Sequence, residues 1–333
     1  YIDRTVRCGT IYPMYNIIVT DDRHGTYTYE EEVLREIDAT LTVYNLQSPE
    51  EALPVLREAD GVLLNLFPLT APLIGEMNRC KVISRYGVGY DNVDLKAATA
   101  AEIQVTRVPD YCVEEVTDQT LALLFGIARK TVYKDREVRK GRWNLIEDLP
   151  CFRMKGRTFG IIGYGQIGRA LHRKIAGFGF KDILAYDPYV EKDEMEARGA
   201  CKVDFSQLVS ESNYISIHAA FTSETKGLID KHAFDKMKDG VLIVNTARGG
   251  IINEADLAVA LHEGKVAGAG LDVFEAEPLP ASSALRSFDT VIFSDHTAYY
   301  SEESIRELKT KAARNIVEVL TGRGPSYPVN TIS

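Results

Sequence analysis

The stretch Phe159–Gly168, FGIIGYGQIG, decides the fold. Apolar residues run into three glycines, Gly163, Gly165 and Gly168, and the residues that follow, RALHRKIAGF, carry helical spacing. A strand that turns through G-x-G-x-x-G into a helix presents backbone N–H groups and a helix N-terminus to a dinucleotide pyrophosphate. The first glycine permits the tight turn, the second lets the phosphates come close, and the third lets the helix pack on the strand. Gln166 and Ile167 open the helix and belong to the same cradle. Asp187 closes the next expected strand, ILAYD, roughly 20 residues on, where an acid can accept hydrogen bonds from both adenosine ribose hydroxyls. Its charge repels a 2′-phosphate, and Pro188 and Tyr189 offer no cation to hold one, so the pattern favours NAD over NADP. The plainer reading of Asp187 is a strand-end turn residue.

Outward from this motif the chain alternates short β-branched runs with amphipathic segments, the mark of parallel α/β layers. Downstream, ILAYD, YISIH, VLIVNT, GAGLDV and TVIFSD read as successive strands. Upstream, EEVTDQTLALLFGIARKTVYK reads as one long helix over 114–134. Before it, strands IIVTD, TLTVYN, DGVLLNL, KVISRYG and IQVTRVP alternate with four helices, a complete doubly wound unit whose first turn, DDRHGTY, lacks the glycine pattern. The last helical segment, SEESIRELKTKAARNIVEVLTG, starts on a capping signal and stops at Gly322. Too short to stand alone, it and the PSYPVN tail need the first unit as host. The expected fold class is therefore α/β with two doubly wound domains. A substrate domain spans 1–113 and 300–333, and a cofactor domain over 114–299 is inserted in it. Two chain crossings near 112–116 and 298–302 would permit hinge closure over a ligand.

Three charged residues follow the last strands: Arg248 after GVLIVNTA, Glu277 after VAGAGLDVF and His296 after TVIFSD. Ligands of open parallel sheets bind outside the carboxyl ends of the strands, so residues placed there can converge on one crevice. A guanidinium suits a substrate carboxylate and keto oxygen, an imidazole can give and take a proton, and a neighbouring carboxylate orients that imidazole. Beside a nicotinamide, such a set suits hydride transfer to an α-keto acid; three unrelated loop charges are the alternative. Thr246 and Ala247, just before Arg248, fall on the cofactor side. His218 ends YISIH and either lines the adenine side or is a satisfied strand-end histidine. Asp272 lies inside GLDVF, where a buried carboxylate demands a partner, and the nicotinamide carboxamide is a fitting one. In RYGVGY, Gly87 and Gly89 leave backbone N–H groups free to face a ligand, or form a plain turn. Asn92 and Asp94 read as turn and cap residues.

Composition narrows the class. With 333 residues, 45% hydrophobic and 26% charged, the chain is long enough for two ordinary globular domains. A net charge of −9 argues against direct nucleic-acid binding. The cysteines, Cys8, Cys80, Cys112, Cys151 and Cys201, form no C-x-x-C pair and read as reduced thiols. No metal-ligand spacing is present. The opening residues YIDRTVRCGTIYP lack a signal-peptide core and no segment reaches membrane-spanning length, so a cytoplasmic enzyme without membrane contact is expected.

From about residue 55 onward, IIGYGQIGRA, NTARGGIINEADL, GLDVFEAEP and DHTAYYS together resemble the D-isomer-specific 2-hydroxyacid dehydrogenases. The resemblance implies a Rossmann domain inserted into a flavodoxin-like substrate domain, with Arg248, Glu277 (not Glu275) and His296 as the catalytic set. It also implies that the Val88 and Gly89 N–H groups bind the substrate carboxylate. Asp295 before the histidine and TAYYSEES after it are similar to the subgroup of C-terminal-binding protein corepressors. CVEEVTDQT, KAARNIVEVLTGRGP and the FGF preceding ILAYDPY add to that likeness. Tyr299 takes the place of their pocket tryptophan, implying an aromatic wall to the substrate site; a packing role is the alternative. The expected function is NAD-dependent interconversion of a small 2-keto acid and a D-2-hydroxy acid, with an NAD(H)-sensing scaffold as the second reading. The apolar LALLFGIA face and Trp143 resemble a dimer-forming helix and arm, so a homodimer is expected; an ordinary intramolecular core is the alternative.

Overall fold

The computed structural model describes residues 15–23, 25–146 and 149–332. Cys8 and the opening segment read above for a signal peptide lie outside them. The chain divides into two compact units, one reaching Tyr111 and resuming at Glu302, the other spanning Cys112–Ser301.

The first unit runs β1 (Tyr15–Val19), α1 (Thr28–Leu34), β2 (Ala39–Val43), α2 (Pro49–Glu58), β3 (Gly61–Leu64), α3 (Ala71–Ile74), β4 (Val82–Arg85), α4 (Leu95–Ala100) and β5 (Gln104–Thr106). Its five strands are parallel in the order β2-β1-β3-β4-β5, the flavodoxin-like order. Ile17, Ile18, Val19 and Val62–Leu64 are buried without remainder, as strands covered on both faces must be. Asn92 ties the loop after β3 by donating to the Asn65 and Phe67 carbonyls, and Asp94 caps α4 through the Ala97 N–H. Both are structural, as their sequence context suggests.

The second unit begins with α5 (Val113–Arg129) and α6 (Thr131–Arg139), then β6 (Thr158–Ile162), α7 (Gln166–Ile175), β7 (Asp182–Tyr186), α8 (Lys192–Glu196), β8 (Cys201–Lys202) and α9 (Phe205–Glu211). It continues through β9 (Tyr214–Ile217), α10 (Lys231–Lys236), β10 (Val241–Asn245), α11 (Glu254–His262), β11 (Val266–Leu271) and β12 (Val291–Phe293). Seven parallel strands lie in the order β12-β11-β10-β9-β6-β7-β8. Counted from β6 this is 3-2-1-4-5-6 with one strand added, and the order reverses between β6 and β9. The final helix, α12 (Glu302–Leu320), returns to the first unit. There the Ser84 hydroxyl donates to the Ala312 carbonyl at 2.9 Å and the Asn315 amide donates to the Arg107 carbonyl at 3.1 Å. No helix among the described residues is long and apolar enough to cross a membrane.

One sequence expectation needs correction. The helix read over 114–134 is two helices, broken at Lys130, which adopts the left-handed conformation (φ +58°). Its N–H still donates to the Gly126 carbonyl, closing α5, while its buried ammonium reaches the Ala267 carbonyl at 3.2 Å. Edge strand β8 has no signature in the sequence, because two residues, one exposed and one half-buried, carry no periodicity. Most of the LALLFGIA face is core of its own unit: Leu123, Leu124 and Ile127 are buried there, and only Ala122 and Phe125 are exposed.

Candidate active site

Strands β10, β11 and β12 are neighbours, and their ends are level: Asn245 pairs with Leu271, and Leu271 with Phe293. The residues just past them therefore fall in one place. His296 stands in the left-handed region (φ +57°), and its N–H donates to the Asp272 carbonyl at 2.8 Å. Its Nδ1 meets Glu277 Oε2 at 2.6 Å, and the other Glu277 oxygen accepts the Phe274 N–H at 3.0 Å. Burial alone would push the Glu277 carboxyl up. The hydrogen bonds from His296 and Phe274, and the charges of His296 and Arg248, outweigh that and hold it below the usual carboxylate range. Arg248 is thus close enough to act on the same carboxylate. With Nδ1 engaged, Nε2 of His296 has no partner among the described residues and is the atom left to carry a mobile proton.

The choice between two glutamates settles locally. Glu275 accepts the N–H of Glu254 at the start of α11, and Glu254 accepts the N–H of Glu275 in return. Only Glu277 reaches the imidazole.

The turn carrying Arg248 depends on neighbours that sequence reading passed over. Asn245 accepts the Ala247 N–H and donates to the Arg248 carbonyl, a side-chain clamp around the turn. At Gly249 a Cβ would stand 1.9 Å from the Phe274 backbone carbon, so only glycine lets this turn lie against the loop that leads to Glu277. Asp272, 1% exposed, finds its partners within the chain. It accepts from the Ser294 hydroxyl at 2.6 Å and from the Thr297 and Ala298 N–H groups at 3.0 and 3.1 Å. Its carboxylate therefore organises the His296 loop, a role its sequence position did not announce. Likewise the Thr246 hydroxyl pairs with Thr120 of α5 at 2.9 Å. Tyr299, half-buried, sets its ring edge-on to His296 with centroids 6.5 Å apart.

At the end of β6, Gly163 (φ +88°) turns the chain and lies so close to His218 and Ala219 that a Cβ would meet backbone at 2.5 Å. A Cβ on Gly168 would meet the Gly163 carbonyl oxygen at 2.2 Å, whereas above Gly165 there is open space. The N–H groups of Gly165, Gln166 and Ile167 have no acceptor among the described residues, and no side chain caps α7. Asp187 accepts the Tyr164 and Tyr189 N–H groups, one on each oxygen, at 2.8 and 2.9 Å. This fixes its carboxylate next to the glycine turn and leaves lone pairs on both oxygens. His218, just past β9, bonds Ser216 through Nε2 at 2.7 Å, while its buried Nδ1 has no partner. Desolvation pushes this imidazole down to about 3, so it is neutral.

The residue between the first two glycines was not singled out from sequence. Tyr164 is fully buried, and its hydroxyl meets His172 Nδ1 of α7 at 2.6 Å. Desolvation lowers the His172 pKa, which disfavours a charged ring at this bond. Replacing Tyr164 with phenylalanine should free the turn from α7 and raise the Kd for NADH about fivefold, the worth of one buried hydrogen bond. An unchanged Kd in a fluorescence titration would mean that packing alone holds the turn.

In the first unit, the Val88 and Gly89 N–H groups follow β4 and also have no acceptor among the described residues. Gly87 takes φ +139° and its carbonyl accepts the Val108 N–H at 2.9 Å.

A family model described as D-isomer specific 2-hydroxyacid dehydrogenase, NAD binding domain, matches residues 121–298, more than half of the chain. The chain belongs to this family. A glyoxylate reductase from Korarchaeum cryptofilum is 36% identical over 266 residues, covering 79% of this chain and 80% of the relative. A D-3-phosphoglycerate dehydrogenase from Archaeoglobus fulgidus is 38% identical over 260 residues; the match covers 78% of this chain but 49% of that longer protein. Among solved structures, D-lactate dehydrogenase from Aquifex aeolicus, complexed with NAD and lactic acid, superposes with a TM-score of 0.85 at 26% identity, over 96% of this chain and 100% of that one. As a D-2-hydroxyacid dehydrogenase, this chain is an NAD-dependent oxidoreductase. The cradle fits that cofactor: unspent helix N-terminal amides for the pyrophosphate, open space over Gly165, and a fixed carboxylate at Asp187 beside the turn.

Proposed function

We propose that this enzyme interconverts a small 2-keto acid and the corresponding D-2-hydroxy acid, with His296 as proton donor and acceptor, Glu277 as its orienting base and Arg248 as the carboxylate clamp. The observation that carries the reading is Glu277, which binds His296 directly and is lowered by the charge of Arg248. When bound, NADH supplies the hydride. Arg248 grips the carboxylate and the keto oxygen, fixing which face of the carbonyl is presented and favouring charge on that oxygen. His296 delivers its Nε2 proton to the same oxygen as the alkoxide forms, and takes it back in the oxidative direction. Glu277 prevents the ring from turning and balances its charge in the protonated state. Tyr299 offers an aromatic wall to the substrate's tail, and the Val88 and Gly89 amides, which have no acceptor among the described residues, are donors fit for a carboxylate. That wall favours an apolar or thioether tail over a phosphorylated one.

For the cofactor, Gly163, Gly165, Gln166, Ile167 and Gly168 hold the pyrophosphate and Asp187 the adenosine ribose. His218, Thr246, Ala247 and Asp272 border the remainder. Asp187→Ala should weaken NADH and narrow the preference over NADPH by about tenfold or more, as one charge repulsion and up to two hydrogen bonds are lost. Identical NADH/NADPH kcat/KM ratios in the variant and the parent would remove Asp187 from this role.

The decisive assay is steady-state oxidation of NADH with glyoxylate, pyruvate, hydroxypyruvate and longer keto acids. Turnover of at least one supports the proposal. No turnover on any, together with NADH-dependent dimerisation and peptide capture, would instead indicate a scaffold of the C-terminal-binding-protein kind. A homodimer is part of the proposal. Trp143 and Ile146 are 78% and 84% exposed, apolar surface that a second copy would cover. Trp143→Glu is expected to convert a dimer to monomer in sedimentation; a monomeric parent protein at micromolar concentration would refute it.

A further inference from the structure

The second unit contains a cavity of about 240 Å³ at the amino ends of β9, β10 and β11. The glycine turn lies at the carboxyl end of β6, so a strand length, about 16 Å, separates the two. Lys130, Arg157, Tyr214, Leu242, Val266 and Ala267 are among the residues lining the cavity. The charges there are one-sided. Two cations and no carboxylate among the described residues face the cavity, in a chain whose net charge is −9.

Lys130 is the telling residue. It is 6% exposed, sits at the break between α5 and α6 in the left-handed conformation, and its ammonium has one hydrogen bond, to the Ala267 carbonyl at 3.2 Å. No carboxylate among the described residues pairs with it. A buried ammonium with one neutral acceptor bears a desolvation cost that an anion would offset. Burial also holds it below the usual lysine range. Arg157 likewise has no acidic partner among the described residues; its guanidinium lies over the Phe152 ring at 4.8 Å and its Nε donates to the Arg153 carbonyl. The remaining wall is mostly apolar, including Leu261 of α11.

We propose that this cavity is a second small-molecule site, distinct from the dinucleotide cradle, that takes a small organic monoanion: a carboxylate against Lys130 carried on an unbranched apolar tail lying along Leu242, Leu261 and Val266. Size sets the class, since the volume lies below the usual range for drug-sized ligands. Charge sets the head group, and the apolar wall sets the tail.

Hexanoate is the probe, with hexan-1-ol and hexylamine as neutral and cationic counterparts, titrated calorimetrically into the NAD-loaded enzyme. The Arg248→Met enzyme serves as background, because it removes the proposed clamp for carboxylates at the other site. Hexanoate should bind this background one to one, at least about tenfold more tightly than hexanol, and Lys130→Met should weaken it about tenfold or more. Hexylamine should give no heat. Leu261→Trp, which fills the cavity and leaves the lysine in place, should abolish binding, and it carries the test alone if Lys130→Met does not fold. The proposal is overturned by absence of hexanoate binding, by equal affinity for hexanol, or by undiminished binding in either cavity variant. Keto-acid turnover by the parent enzyme is measured separately, so failure here leaves the proposed reaction standing, and the reverse.

Discussion

Replacing His296 with asparagine is expected to lower kcat for keto-acid reduction by ~10²–10⁴-fold, the usual worth of a positioned general acid, while leaving the KM for NADH near its parent value. The substitution is chosen for its geometry. An asparagine amide can occupy the place of Nδ1, keep a bond to Glu277 and so preserve the loop, but nothing replaces Nε2. The left-handed backbone at this position (φ +57°) is one that asparagine tolerates better than most side chains. Loss of activity can then be ascribed to the missing proton and not to a collapsed turn. Because the proposed mechanism has the same atom accept the proton in the reverse direction, oxidation of the hydroxy acid should fall by the same factor. A kcat within about threefold of the parent would show that water or another group supplies the proton.

The sequence carries this site further than it carries the surroundings. Glycines at fixed offsets, an acid closing the next strand and charged residues just past successive apolar runs are local signals, because a parallel sheet with level strand ends turns positions along the chain into positions in space. What holds those residues is not local. Asp272 reads as a buried acid in search of a ligand, yet its donors come from Ser294, Thr297 and Ala298, on the far side of β12. The clamp by Asn245 depends on the exact path of one turn, and the Tyr164–His172 bond joins residues eight apart through a helix start. The break at Lys130 is invisible for a related reason. An apolar, helix-forming run with no glycine or proline at the break itself (the one glycine, Gly126, lies a turn earlier inside α5) gives no cue to a left-handed residue that tertiary contacts stabilise. Glu275 and Glu277 could be told apart by resemblance only, until their partners were seen. Edge strand β8 and the inward-facing leucines of α5 show the same limit. Periodicity reveals that a face is apolar, but not whether the chain itself or a second copy covers it.

Arg248 should be nearly as hard to replace as His296. Arg248→Met is expected to reduce kcat/KM for the keto acid by about 10²–10³-fold, or about 3–4 kcal/mol, within the ~2–5 kcal/mol lost when one partner of a desolvated charge pair is truncated. Unlike the His296 variant, it should raise the KM for the keto acid as well as lower kcat, since the proposed clamp would act on the carboxylate in the ground state and on the developing oxyanion in the transition state. Arg248→Lys should recover only a small part of the loss, because a single ammonium cannot reproduce the planar fork. A second consequence follows from the neighbour it acts on. The Arg248 charge is one of the influences that hold the Glu277 carboxyl below its usual range. Such a group stabilises the fold above its unfolded-state pKa, and the contribution is lost as pH falls through the lower folded value. Removing Arg248 raises that folded value, so the acid-side loss of stability should begin at higher pH in Arg248→Met than in the parent. Thermal melting followed from pH 7 downward reads this directly, independent of turnover. If the two proteins lose stability over the same interval, Arg248 does not act on Glu277 in solution, and the convergence of the three groups on one carbonyl would have to be given up.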